Sequence, residues 1–243
     1  MNIKAVIVTL NQMQTDGIVQ RYAIGGAVGA TFYLEPIATL DVDVFITFEP
    51  QPGSLVVSTQ PIFDYLKTKG ATMEGEYTII GGWPVQFLPP TGPLIEEALA
   101  QAIETDVEGT PAFIFSAEHL AAIALQTGRA KDKARLLHFV EAGALDLGRF
   151  RSILTQHGLD EAWQKFETQF LSGDKPCRRL NFLPVLVDLQ KSVGSKRAYR
   201  ARLAGRPIGE KLRMLDAMRE REISLRDSAP HSQSAVVREE PAA

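Results

Sequence analysis

Residues Tyr22 to Phe48 read YAIGGAVGATFYLEPIATLDVDVFITF, and the rest of the chain is organised around this stretch. Two pieces of it are informative: the glycine pair Gly25-Gly26, placed just before an apolar run, and the alternating segment Asp41-Val42-Asp43-Val44-Phe45. In a strand, successive side chains point to opposite faces, so Asp41 and Asp43 share one face while Val42 and Val44 share the other. Two carboxylates held side by side repel each other unless a cation sits between them. Hard divalent ions such as Mg2+ take one or two carboxylates plus the oxygens of a substrate phosphate, so the pair points to a metal and nucleotide site. Glycine lets backbone approach a ligand closely or adopt positive φ. With a helix starting at Ala27, its free N–H groups face whatever lies over the Gly25-Gly26 turn, and phosphate is a natural occupant.

Gly-Gly, a short helix, the linker Leu34-Glu35-Pro36-Ile37-Ala38-Thr39 and then an h-Asp-h-Asp-h strand resemble the nucleotidyltransferase fold, in particular the bacterial branch that includes AbiEii-like, toxin–antitoxin associated proteins. The resemblance implies that Asp41 and Asp43 are the paired catalytic and metal ligands, with Mg2+ as cofactor and an NTP as substrate. It implies that Gly25 and Gly26 form the phosphate-side turn, and Thr39 is grouped with them as nucleotide-binding. Relatives of this kind carry a third carboxylate on a neighbouring strand. Here that strand is Trp83-Pro84-Val85-Gln86-Phe87-Leu88, and the third-carboxylate position is Gln86. Glutamine hydrogen-bonds but is neutral and does not act as a general base. Glu74 or Glu76 on the preceding strand are the substitutes the sequence offers.

A second segment, Gly128-Arg129-Ala130-Lys131-Asp132-Lys133-Ala134-Arg135, resembles the basic R-x-K-D segment of the toxin-like relatives, whose side chains face the triphosphate. Arg129 and Lys131 are carried over as nucleotide-binding, with Asp132 capping or orienting them. The lysine that many such relatives place about one turn earlier is missing, Ala124 and Leu125 occupying that region.

Composition sets the bounds. A chain of 243 residues with 45% hydrophobic residues fills a core of one large or two small domains. The single cysteine, Cys177, excludes an internal disulfide and a cysteine-rich zinc site and suits a reducing compartment. No apolar run approaches a membrane span and no signal-peptide pattern is present, so the expected location is the cytoplasm, without a membrane partner. Charge is uneven: residues 1–115 hold 4 Lys and Arg against 13 Asp and Glu, the remainder 22 against 16. An acidic half suits a divalent metal and a basic half a polyanion. His119, His138, His157 and His231 show no metal-ligand spacing. Ser58, Ser116 and Ser152 lack a nucleophile-elbow pattern, which removes support for acyl transfer. Trp83, Trp163, Tyr22 and Tyr33 read as packing aromatics.

Taken in order, the pattern predicts a helix from Ile3 ended by Gly17, a strand over Ile18 to Ile24, a helix over Ala27 to Leu34 stopped by Pro36, and the strand Asp41 to Phe48. A Pro/Gly loop over Glu49 to Ser54 and a helix over Ile62 to Lys69 follow. Thr72 to Ile80 and Trp83 to Leu88 read as two antiparallel strands joined at Gly81-Gly82, then Leu94 to Ala102 as a helix and Pro111 to Phe115 as a last strand. Ser116 is a candidate N-cap, and Lys131 to Gly143, Leu147 to His157 and Asp160 to Phe170 read as helices. The composition breaks at Leu171 to Arg179, and Asn181 to Gln190 is strand or helix. Ser195 to Leu225 reads as a separate basic unit of two helices divided by Gly205-Arg206-Pro207, with a narrow apolar stripe of Leu212, Leu215 and Met218 that needs a partner surface.

The expected fold class is therefore α+β: a nucleotidyltransferase-like small mixed sheet with flanking helices (1–115), a helical bundle (116–180), a basic helical hairpin (181–226) and a disordered tail (227–243). Three functions follow. The chain is a Mg2+-dependent enzyme moving an NMP from an NTP to an RNA end or a protein hydroxyl, in a toxin–antitoxin or phage-defence setting. Alternatively, it is a catalytically impaired nucleotide-binding protein, because of Gln86. In the third reading it binds tRNA or another RNA, or a cognate protein partner, through the basic hairpin.

Overall fold

The computed structural model describes residues 1–48, 60–171 and 183–228, with backbone alone for residues 183–193. Helix α1 (Ile3–Thr15) opens the chain, capped by the Asn2 side chain, which accepts from the Ala5 N–H. Strands β1 (Arg21–Ile24) and β2 (Val42–Thr47) flank the short helix α2 (Gly26–Thr31). Helix α3 (Gln60–Thr68), strands β3 (Thr72–Glu74), β4 (Tyr77–Ile80) and β5 (Trp83–Leu88), helix α4 (Pro93–Ala100), and strands β6 (Ile103–Val107) and β7 (Thr110–Ile114) complete the sheet region. The seven strands run in the order β3-β4-β5-β2-β1-β7-β6. β2 pairs in parallel with β5 and β1 in parallel with β7, and the other pairs are antiparallel.

The alternation read in β2 decides which face the core takes. Val42, Val44 and Ile46 are fully buried, with Ile3, Val6, Ile7, Leu10 and Met13 of α1 in the same apolar cluster. Burying each such side chain contributes about 1.5–3 kcal/mol, so a one-residue slip that exposed them is strongly disfavoured. Asp43 and Phe45 are thereby turned to the opposite face, which is half-buried. A second apolar cluster gathers Phe115, Leu120, Leu136, Phe139, Phe150 and Trp163 from the helices that follow: α5 (Ala117–Thr127), α6 (Ala130–Glu141), α7 (Leu147–Gln156) and α8 (Asp160–Phe166). Ser116 caps α5 as expected, its side chain accepting from the His119 N–H, and Gly128 ends that helix in the left-handed conformation. A π-helical turn, Glu167–Leu171, continues α8.

Four expectations are corrected. The stretch Thr72 to Ile80 is two strands, because Gly75 (φ +63) closes a tight hairpin between them. β6 was not foreseen: as an edge strand with Glu104, Thr105 and Asp106 it has no apolar alternation, and its turn signal is Glu108-Gly109, both at positive φ. Helix α2 ends at Thr31 rather than Leu34. The basic hairpin, α9 (Leu183–Ala204) and α10 (Ile208–Ser228), divides at Gly205-Arg206-Pro207 as read, but its apolar stripe is satisfied within the chain: Leu212 and Leu215 are buried in the cluster that holds α1. Polar anchors reinforce this. Asp216 Oδ1 accepts from the Ile3 N–H at 3.0 Å and from Trp83 Nε1 at 2.6 Å. Buried Lys211 donates to the carbonyls of Phe32 (3.3 Å), Leu34 (3.2 Å) and Ala204 (3.1 Å). Asn181 to Gln190, left open between strand and helix, is helical from Leu183. The Glu49 to Ser54 loop, residues 172–179 of the composition break, and the tail beyond Ser228 lie outside the described residues. No described helix is long and apolar enough to cross a membrane.

Candidate active site

β2 brings the two predicted carboxylates together. Asp43 lies inside the strand and Asp41 one residue before it, both half-buried and on the face away from α1. The glycine pair sits directly over Asp43. The Gly25 N–H donates to the Asp43 carbonyl at 2.9 Å, so this group serves the sheet and is not free for a phosphate. A Cβ on Gly25 would lie 2.6 Å from the Phe45 ring, and one on Gly26, which has φ +57, would lie 1.8 Å from Asp43 Oδ2. Glycine at 26 is thus required twice, by its backbone conformation and by the carboxylate beneath it. Thr39 Oγ1 lies 3.4 Å from the Asp41 carbonyl and 3.5 Å from its Oδ1.

The parallel ladder sets Asp43 opposite Gln86. The neighbouring-strand position is therefore neutral, as the sequence indicated. Glu74 and Glu76 are both exposed at the β3–β4 hairpin. Tyr77, which follows Glu76, has its phenol pushed up by burial and then by Asp41, Glu76 and Asp43.

Helix α6 supplies the opposite charge. Its start places Arg129, Lys131 and Arg135 where their charge reaches Asp43. Asp132, 2% exposed, holds two of them: Arg129 Nε at 2.6 Å and Arg135 at 3.6 Å. Asp132 therefore pairs with Arg129 and with Arg135. Arg135 was not singled out in the sequence. The available signal was its spacing, four residues after Lys131 and so on the same helical face. Asp43 feels both sides. Burial pushes its carboxyl above the ordinary aspartate value, Asp41 adds to this, and Arg135, Lys131 and Arg129 oppose it.

A cavity of about 420 Å³ opens beside the pair. Ala27, Ala30 and Leu34 form one wall, Lys131, Ala134, Arg135 and His138 of α6 the other, and Thr39 and Asp41 the near rim. Also on the lining, Glu35 Oε1 lies 3.9 Å from His138 Nδ1 and 3.4 Å from Arg200 Nε. Glu35, His138 and Arg200 were not predicted, since residues from a linker and two distant helices share no sequence pattern.

The donor set fits Mg2+ in one form. Two adjacent carboxylates, one of them already held toward its protonated state by burial and its neighbour, are relieved by a cation between them. Among the described residues no group of three or more His, Cys, Asp or Glu side chains converges to hold a metal. The remaining ligands would come from substrate phosphates and water, the usual arrangement for Mg2+.

Two other constellations are structural. Ser116 Oγ lies 2.9 Å from His119 Nδ1, and His119 Nε2 lies 3.6 Å from Glu97, but Ser116 and His119 are fully buried and no carbonyl substrate reaches the hydroxyl. The hairpin arginines are largely neutralised: Arg197 and Arg200 pair with Glu141, Arg206 with Glu210, Arg213 with Glu108 and Arg219 with Glu222.

No protein-family model matches the chain, and no curated protein matches it. Solved structures similar to it include an antigenic nucleotidyltransferase-like protein from Paracoccidioides brasiliensis, at 16% identity and TM-score 0.43, covering 66% of this chain and 91% of that one. ANT(2")-Ia in complex with adenylyl-2"-tobramycin is similar at 13% identity and TM-score 0.37, covering 70% and 99%. The solution structure of the antibiotic-resistance factor ANT(2'')-Ia gives 13% and 0.38, covering 69% and 97%.

Proposed function

We propose that the chain is a Mg2+-dependent nucleotidyltransferase that moves an NMP from an NTP to an RNA end or a protein hydroxyl. The observation that carries this reading is the Asp41–Asp43 pair, with Asp43 fitted under Gly26 and within reach of the charges of Arg129, Lys131 and Arg135, beside a cavity lined by Asp41, Lys131 and Arg135. Asp41 and Asp43 would hold the metal, which when bound supplies charge neutralisation on the triphosphate. The acceptor hydroxyl oxygen attacks the α-phosphorus, the bond to the bridging oxygen of the β-phosphate breaks, and pyrophosphate leaves. Lys131, Arg129 and Arg135 take up the charge of the departing pyrophosphate, the arginines aimed by Asp132. The hydroxyl proton goes to a base other than Gln86, for which Glu74 and Glu76 on the hairpin are the candidate carboxylates. A toxin–antitoxin or phage-defence setting is supported by the sequence resemblance alone.

The test is labelling from an α-radiolabelled NTP with the Asp43→Asn variant. Loss of label is expected, and labelling equal to the parent would remove the proposal. A second reading is favoured by the Asp43–Gln86 register, which leaves the third position without a carboxylate. In it, the chain binds the nucleotide and transfers it poorly. Micromolar NTP binding with no product, over four nucleotides and bulk tRNA, would select this reading over the first.

A further inference from the structure

The cavity beside the carboxylate pair is polarised along its length. The charges of Lys131 and Arg135 reach the Asp41–Asp43 pair, while Glu35 and His138 meet each other elsewhere on the lining. Lys131 and His138 are seven residues apart on one helix, about 10 Å along its axis at 1.5 Å per residue. Between them the walls are small side chains, Ala30 of α2 and Ala134 of α6, which leave an apolar slot. Glu35 is only 11% exposed at its side chain, and His138 Nδ1 is buried without a hydrogen-bond partner. An ionised carboxylate accepts hydrogen bonds and donates none. A triphosphate therefore has one favourable direction: anionic groups by Lys131 and Arg135, and a donor-bearing group by Glu35.

We propose that the far end of this cavity reads the nucleobase, with Glu35 accepting from an exocyclic amino group, so that adenine, cytosine or guanine is taken in preference to uracil. This rests on the nucleotidyltransferase reading and deepens it. Adenine and cytosine present an amino donor where thymine and uracil present a carbonyl oxygen, and guanine carries an amino donor of its own. Uracil offers one N–H between two carbonyl oxygens, which the carboxylate repels. Arg200, reaching from α9 to Glu35 Oε1, orients the carboxylate from outside the slot and is a positioning residue.

The experiment measures Kd for ATP, CTP, GTP and UTP on the full chain with Mg2+, so that slow turnover does not hide the result. At least one amino-bearing nucleotide is expected to bind 10-fold or more tighter than UTP. Glu35→Gln, whose amide both donates and accepts, should shrink that ratio to under about 3-fold without weakening UTP. Arg200→Gln, which removes the group that orients the carboxylate, should reduce the discrimination less than Glu35→Gln does and leave UTP binding unchanged. UTP binding as tightly as the other three to the parent chain overturns the proposal, and needs no variant to fold. So does a Glu35→Gln effect equal on all four nucleotides. Absence of binding by any NTP overturns the nucleotide reading itself.

Discussion

Replacing Gly26 by alanine separates the stability of the fold from the geometry of the site. The added Cβ would lie 1.8 Å from Asp43 Oδ2 and 2.8 Å from its Cγ. These atoms are the end of a side chain that rotates, so the clash is relieved by swinging the carboxylate away by more than about 1 Å, not by moving backbone. The stability cost is then mainly that of an L-residue at φ +57, about 1–2 kcal/mol. For a chain of this size that lowers Tm by roughly 2–8 °C. Displacing a reacting group by about 1 Å costs about 100-fold in rate, equivalent to about 2.7 kcal/mol of barrier. The expected outcome is a folded protein with a modest Tm loss and transfer reduced at least about 100-fold, read by thermal unfolding and by label transfer from an α-labelled NTP on one preparation. Near-parental transfer by a folded Gly26→Ala protein would refute the placement of Asp43 in the chemistry.

Three further perturbations follow from the same contacts. Arg135→Gln removes a cation that holds Asp43 down against burial and Asp41, so the folded carboxyl rises further. Asp43 must be ionised to hold a metal, so the acid limb of the transfer rate should move to higher pH, and an unmoved limb would contradict the charge coupling. The linked stability has a definite sign: with a folded pKa raised above 3.8, the native state holds the proton longer, so stability falls as pH rises from 3.8 through the raised value and then levels. Gln86→Glu places a carboxylate opposite Asp43 and should raise transfer about 10-fold or more, within the range of general-base assistance. No gain would show that Gln86 is not what limits turnover. Lys211→Met leaves the carbonyls of Phe32, Leu34 and Ala204 without their buried donor, a loss of about 1–3 kcal/mol in denaturant unfolding. A loss below about 0.5 kcal/mol would mean that water replaces it freely.

The central geometry was legible in the sequence because it is local. The alternation of Val42, Asp43 and Val44 fixes both the buried face and the acidic face of β2, and the opposition of Asp43 and Gln86 follows once β5 pairs with β2. Ser116 was recognisable because a cap needs only its own turn. The glycine pair was found for a partial reason: its order before a helix suggested a phosphate turn, whereas its packing is against Asp43 and Phe45, residues some twenty positions away. β6 was hidden because an exposed edge strand carries no hydrophobic alternation. The docking of α10 was hidden because Lys211 and Asp216 do as much to fix it as its narrow apolar stripe, and buried polar anchors look like surface residues in a one-dimensional pattern. Glu35, His138 and Arg200 meet only through the tertiary fold.

The most direct test of the account follows the two ends of the triphosphate in one reaction. With Mg2+ and an acceptor, label from an α-labelled NTP should appear on the acceptor and label from a γ-labelled NTP should leave entirely as pyrophosphate. Transfer of the γ-label to the acceptor, or release of free phosphate instead of pyrophosphate, would contradict nucleotidyl transfer at Asp41 and Asp43.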